Sequence, residues 1–106
     1  MFKLFKNKKE PHTLDPDSVR KEFYFEGTVQ NVGFRFEIQR RAKPLGLTGF
    51  AQNNDDGSVT CQLQGKEEDI YKVITSLQKI PHIKIDFISE KDVPTDSKDT
   101  DFVILY

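Results

Sequence analysis

The chain is 106 residues long, with 16 Lys+Arg against 17 Asp+Glu and a formal net charge of −1. That length accommodates one domain of the usual ~100–150 residues. The balance of signs removes the bulk electrostatic case for nucleic-acid binding. The longest apolar run, residues 102–106, is far below the ~20 residues of a membrane span, and a single cysteine excludes an intrachain disulfide framework.

Residues 1–18 differ from the rest: Lys3, Lys6, Lys8 and Lys9 give way to Pro11, Asp15, Pro16 and Asp17. With few apolar groups to offset ordering entropy, they read as a loosely ordered extension ahead of a domain at 19–106. The alternative is a small basic anchor in which Phe2, Leu4 and Phe5 dip into a membrane surface. No apolar stretch of about 7–15 residues follows the basic start, so no signal peptide is expected and the cytoplasm is the default location. His12 and His82 lie far apart without partners at ligand spacing, so no metal site is expected.

Val19, Lys21, Phe23 and Phe25 alternate with Arg20, Glu22, Tyr24 and Glu26, the period of a half-buried first strand. From about Gly33, the residues Phe34, Ile38, Ala42 and Leu45 recur at helical spacing, and Pro44 should end or distort the last turn. Residues 47–53 form a second strand. The Asn54-Asp55-Asp56-Gly57 cluster forms a hairpin-type turn, and residues 58–64 form a third strand burying Val59, Cys61 and Leu63. Cys61 there is a core filler.

Ile70, Val73, Ile74, Leu77 and Ile80 mark a helix over 67–79, with Glu67, Glu68 and Asp69 favouring its positive end and Pro81 stopping it. Ile83, Ile85 and Phe87 alternate as a fourth strand, residues 90–101 read as a long loop, and residues 102–106 as a fifth strand. The order β-α-β-β-α-β plus a short terminal strand predicts an α+β, ferredoxin-like sandwich. Its mostly antiparallel sheet carries two helices on one face and leaves the other to solvent.

Two segments exceed ordinary scaffold. The first, Gly27-Thr28-Val29-Gln30-Asn31-Val32-Gly33-Phe34-Arg35, joins a strand to a helix, where unpaired amides meet the positive end of the helix dipole. Gly33 allows close backbone approach, Asn31 tolerates positive φ, and Arg35 can add a bidentate contact to phosphate or carboxylate oxygens. Spacing alone leaves open that the glycines only make turns and that Arg35 caps a solvated face. The second segment runs from Gly49 through Asn53 and Gly57 to Gly65. On composition alone Asn53 there reads as a turn residue.

Together the segments resemble the acylphosphatase family. Its first motif, G-x-V-Q-G-V-x-F-R, is matched by Gly27, Val29, Gln30, Val32, Phe34 and Arg35, and its second, with a fixed asparagine, is matched from Gly49 to Gly65. Asn31 stands where glycine is usual, Phe50 where tryptophan is common, and Gln52 where a basic residue is frequent. The resemblance covers residues 19–106. It implies hydrolysis of a carboxylic–phosphoric anhydride, with Arg35 and the amides of Gln30, Asn31, Val32, Gly33 and Phe34 holding the phosphoryl group and Asn53 orienting the attacking water. An acyl phosphate releases a carboxylate that needs no protonation, so a cationic cradle and one carboxamide suffice, without metal or cofactor.

The expected partners are a small acyl phosphate and inorganic phosphate as product, with no nucleic acid or membrane, for a monomer. A phosphate-binding or regulatory module without turnover is the alternative, although simple retention would not need Asn53. Base stacking on the sheet is disfavoured, because Phe23 and Phe25 should point inward and leave Tyr24 among glutamates.

Overall fold

The computed structural model describes residues 14–106; the basic start with Phe2, Leu4 and Phe5, and His12 with it, lies outside the described residues. Residues 14–18 lead in through a tight turn, in which the Asp17 amide donates to Asp15 Oδ1 and the Ser18 amide to the Asp15 carbonyl, each at 2.9 Å.

The elements are β1 (Val19–Thr28), α1 (Phe34–Ala42), a 3-10 turn (Lys43–Leu45), β2 (Thr48–Asn53), β3 (Val59–Gly65), α2 (Glu67–Leu77), β4 (Lys84–Val93) and β5 (Phe102–Leu105). They build one five-stranded sheet in the order β4-β1-β3-β2-β5. Only the β2–β5 pair is parallel; the others are antiparallel. This is the expected βαββαβ arrangement with its terminal strand. Because β3 lies between β1 and β2, those two strands run the same way, and β5 runs with them. Their C-terminal ends therefore share one end of the sheet.

The period-2 alternation of β1 buries Phe23 and Phe25, joined by Ala51, Val59, Cys61, Leu63 and Phe102 from the neighbouring strands. Phe34, Ile38 and Ala42 of α1, with Ile70, Val73, Ile74 and Leu77 of α2, close the core over that face. Each Phe, Leu, Ile or Val among them contributes about 1.5–3 kcal/mol on burial. The Phe34 ring meets Phe25 edge-on, with centroids 4.9 Å apart, so the first residue of α1 is fixed to β1. Lys21 shares the inward face but lies at its far end. Its Nζ sits 2.7 Å from Asp92 and 3.3 Å from Glu67, tying β1 to β4 and α2.

As expected at Pro44, which lacks the amide that would continue the ladder, helix α1 stops at Ala42 and tightens into the 3-10 turn. Two expectations need correction. Residues 90–93 are not loop. They extend β4, with Phe23 opposite Glu90 and Arg20 opposite Val93. Finally, the β1–β4 register slips between Glu26 and Gly27, where Phe87 and Ile85 are the successive partners. The extra residue, Asp86, reverses the alternation. Phe87 is thus exposed, and Ile88 takes the inward position.

The open face is not wholly left to solvent either. Arg20 is buried there, its Nε donating to Gln62 at 2.7 Å and an Nη to Asp99 at 2.8 Å. Gln64 exchanges hydrogen bonds with the main chain of Asp96, folding part of the β4–β5 connection across the sheet.

Candidate active site

The segment between β1 and α1 turns sharply because two residues take positive φ: Asn31 at 63° and Gly33 at 76°. Asn31 is the sole non-glycine in that region among the described residues. An asparagine side chain tolerates the left-handed region, so its replacement of the usual glycine leaves the curl intact. Nothing lies within 4 Å of a Cβ built on Gly33, so the glycine there serves backbone conformation and not space.

The first intrahelical bond is donated by Glu37 to the Gly33 carbonyl at 3.0 Å. The amides ahead of it have no helical acceptor. Among the described residues, no loop carbonyl or side chain accepts from the amides of residues 30–35. They remain available as donors next to the positive end of α1. Glu37 is the one acidic residue of the first turn. Hydrogen bonds from Arg40, and then Arg41, hold its carboxyl below the usual carboxylate range and occupy its charge.

Two tethers bring this loop to β2. Gln30 Nε2 donates to the carbonyls of Asn54 at 2.7 Å and Ser58 at 2.9 Å, the two ends of the β2–β3 turn. That turn is internally braced, with Asn54 Nδ2 donating to Ser58 Oγ and Thr60 Oγ1. The second tether is Arg35, whose Nη1 donates to the Leu105 carbonyl at 3.1 Å and whose guanidinium lies 5.0 Å from the centre of the Tyr106 ring. Leu105 sits opposite Gln52 in the parallel ladder. Arg35 therefore reaches the end of β5, one strand spacing of about 4.8 Å from the residue preceding Asn53.

Strand alternation turns Asn53 to the same face as buried Ala51, the face that carries the helices. Its Oδ1 is buried and has no hydrogen-bond partner among the described residues. An unpaired buried polar atom costs about 1–3 kcal/mol, so stability alone does not account for it. Gly49, at the other end of β2, is obligatory: a Cβ there would overlap the Gln62 carbonyl, and its φ is 135°.

The structure thus gathers Gln30, Asn31, Val32, Gly33, Phe34, Arg35 and Asn53 at one end of the sheet. Sequence reasoning missed Leu105, Tyr106, Asn54 and Ser58 as the groups that hold them, because only the β2–β5 register and the turn geometry bring these near. Cys61 is fully buried on the core face, and burial pushes its thiol pKa up, as a core filler requires. Among the described residues no three His, Cys, Asp or Glu side chains converge as a metal-binding group, and no helix is long and apolar enough to cross a membrane.

The chain is similar to known proteins in both sequence and fold. The sequence profile described as Acylphosphatase matches residues 21–104. The acylphosphatase of Clostridium perfringens is 42% identical over 85 residues, covering 79% of this chain and 96% of that protein. That of Picrophilus torridus is 40% identical over 85 residues, covering 79% of this chain and 99% of that protein. The crystal structure of acylphosphatase from Bacillus subtilis superposes with a TM-score of 0.76 at 28% identity, covering 83% of this chain and 99% of that one. With the matched profile spanning most of the described residues, the chain belongs to the acylphosphatase family.

Proposed function

We propose that the acyl phosphates hydrolysed by this enzyme are held by the main-chain amides of Gln30, Asn31, Val32, Gly33, Phe34 and Arg35 together with the Arg35 guanidinium. Asn53, in this reading, orients the attacking water. The water oxygen forms a bond to phosphorus as the bond from phosphorus to the acyl oxygen breaks. The electron pair leaves with the carboxylate, and the water proton passes to solvent or to the phosphate product. A carboxylic acid has a pKa near 4, so its anion departs without a general acid. The loose transition state asks little deprotonation of the water. Positioning and charge stabilisation remain, and these residues supply both.

The observation that carries the reading is the uncompensated Asn53 oxygen beside a curl of free amides. Asn53 is placed by β2 at the same end of the sheet, and its Oδ1 has no partner among the described residues, which supports a role in handling water and not in packing. We further read the enzyme as a cytoplasmic monomer acting on a small acyl phosphate and releasing inorganic phosphate, without nucleic acid or membrane partners.

The test is a panel of acyl phosphates and phosphomonoesters assayed with and without EDTA. Acyl phosphates are expected to be hydrolysed equally in both conditions, and phosphomonoesters poorly, because no group here protonates an alkoxide. Strict dependence on a divalent ion would overturn the mechanism.

A further inference from the structure

Of the six large exposed apolar side chains among the described residues, three, Phe36, Leu105 and Tyr106, belong to residues around Arg35. Phe36 is 54% exposed and Tyr106 91%, and both neighbour Arg35, Phe36 in sequence and Tyr106 by its ring lying 5.0 Å from the guanidinium carbon. The others, Leu45, Phe87 and Val103, belong to the 3-10 turn, to β4 and to β5.

Phe34 faces the core and Phe36 is two residues on, about 200° round the helix, so Phe36 lies on the outer side of α1. Helical side chains lean toward the helix N-terminus, which carries the Phe36 ring over the turn that ends at Gly33. In an in-line displacement the acyl oxygen leaves opposite the incoming water. The Asn53 oxygen is buried at the end of β2 on the helix-bearing face, so a water held there leaves the acyl group on the solvent side of the loop.

We propose that Phe36, with Tyr106 packed on the Arg35 guanidinium, forms an apolar lip that receives the acyl group and selects aromatic and longer alkyl acyl phosphates over acetyl and carbamoyl phosphate. This rests on the phosphate assignment above. A small or polar acyl group covers neither ring, whereas an apolar one removes exposed aromatic surface from water on binding. The fixed carboxylate near the lip, Glu37, is already paired with Arg40 and Arg41 and adds no unpaired charge to it. The lip acts on the bound acyl group and not on the reacting atoms, so Phe36 is a specificity residue.

The test compares kcat/KM for benzoyl, hexanoyl and acetyl phosphate in the full chain and in Phe36→Ser and Phe36→Leu variants, with inhibition by inorganic phosphate as a control. Phe36 is exposed, so both variants should fold. Phe36→Ser is expected to lower the benzoyl-to-acetyl ratio about five- to tenfold, at the low end of what a lost apolar contact costs, and to do so through KM. Acetyl phosphate turnover and phosphate inhibition should not change, and Phe36→Leu should keep the preference for hexanoyl phosphate. An unchanged ratio in Phe36→Ser, or an equal fall for all three substrates, overturns the lip while leaving the phosphate site standing. Failure of the site itself would read differently, as phosphate inhibition that survives Arg35→Ala, and the lip would fall with it.

Discussion

The Gln30 carboxamide donates to the main-chain oxygens of both Asn54 and Ser58, at 2.7 and 2.9 Å, so the first residue of the anion loop is stitched to the turn that follows Asn53. The loop and the end of β2 that carries Asn53 are therefore one mechanical unit. Gln30→Leu keeps the side-chain volume and removes both bonds, each worth about 1 kcal/mol. Its larger effect is on alignment, since displacements near 1 Å can cost ~10²-fold in rate. Steady-state kinetics should show kcat falling by about 10-fold or more while inhibition by phosphate changes little.

Asn53→Ala separates catalysis from stability. The variant should lose about 10²–10³ in kcat, the scale for one positioned polar group, yet retain phosphate binding. It also removes an unpaired buried oxygen. Thermal unfolding should accordingly show a midpoint equal to or above that of the parent. Full kcat in this variant would sink the water-orienting role.

Arg35 has two partners outside the loop, the Leu105 carbonyl and the Tyr106 ring. Both hold the guanidinium level with the end of β2. Arg35→Ala should raise the inhibition constant for inorganic phosphate and lower turnover together, because the charge serves the bound and reacting states alike. Arg35→Lys should recover only part of the loss, since an ammonium cannot reproduce the planar fork. Equal phosphate inhibition in parent and Arg35→Ala would place the anion elsewhere.

Where side chains report burial, the sequence was readable. The alternation of Phe23 and Phe25 and the spacing of Ile70, Val73, Ile74 and Leu77 each named a core face that the structure contains. The strand extension over residues 90–93 was not readable, because an edge strand with both faces largely wet has no apolar rhythm. Phe87 misled for a different reason: one bulged residue, Asp86, inverts every side chain beyond it. Arg20 is buried because Gln62, Gln64 and Asp99 converge on it from distant positions, a pairing no local pattern announces. At the site, Arg35 and Asn53 were legible through their motifs. The tethers at Asn54, Ser58, Leu105 and Tyr106 depend on tertiary register, and main-chain carbonyls carry no residue signature.

Acid should loosen the β2–β3 turn. Asp56 Oδ1 accepts from the Ser58 amide at 3.0 Å and also from its hydroxyl, while Oδ2 accepts from Tyr24 at 2.7 Å. These bonds, with the Ser58 hydroxyl first and Tyr24 next, hold the carboxyl at about 2. An unfolded aspartate titrates near 3.9, so the folded value is depressed. The sign follows: the stabilisation is present above about pH 4 and is lost as pH falls toward 2. Urea midpoints measured across this range should show a loss in the parent that Asp56→Asn lacks, with the two curves converging at the acid end. Because Ser58 also receives Gln30, the parent's kcat should fall over the same interval more steeply than that of Asp56→Asn. Parallel stability curves for the two proteins would mean that the Asp56 bonds do not hold the turn.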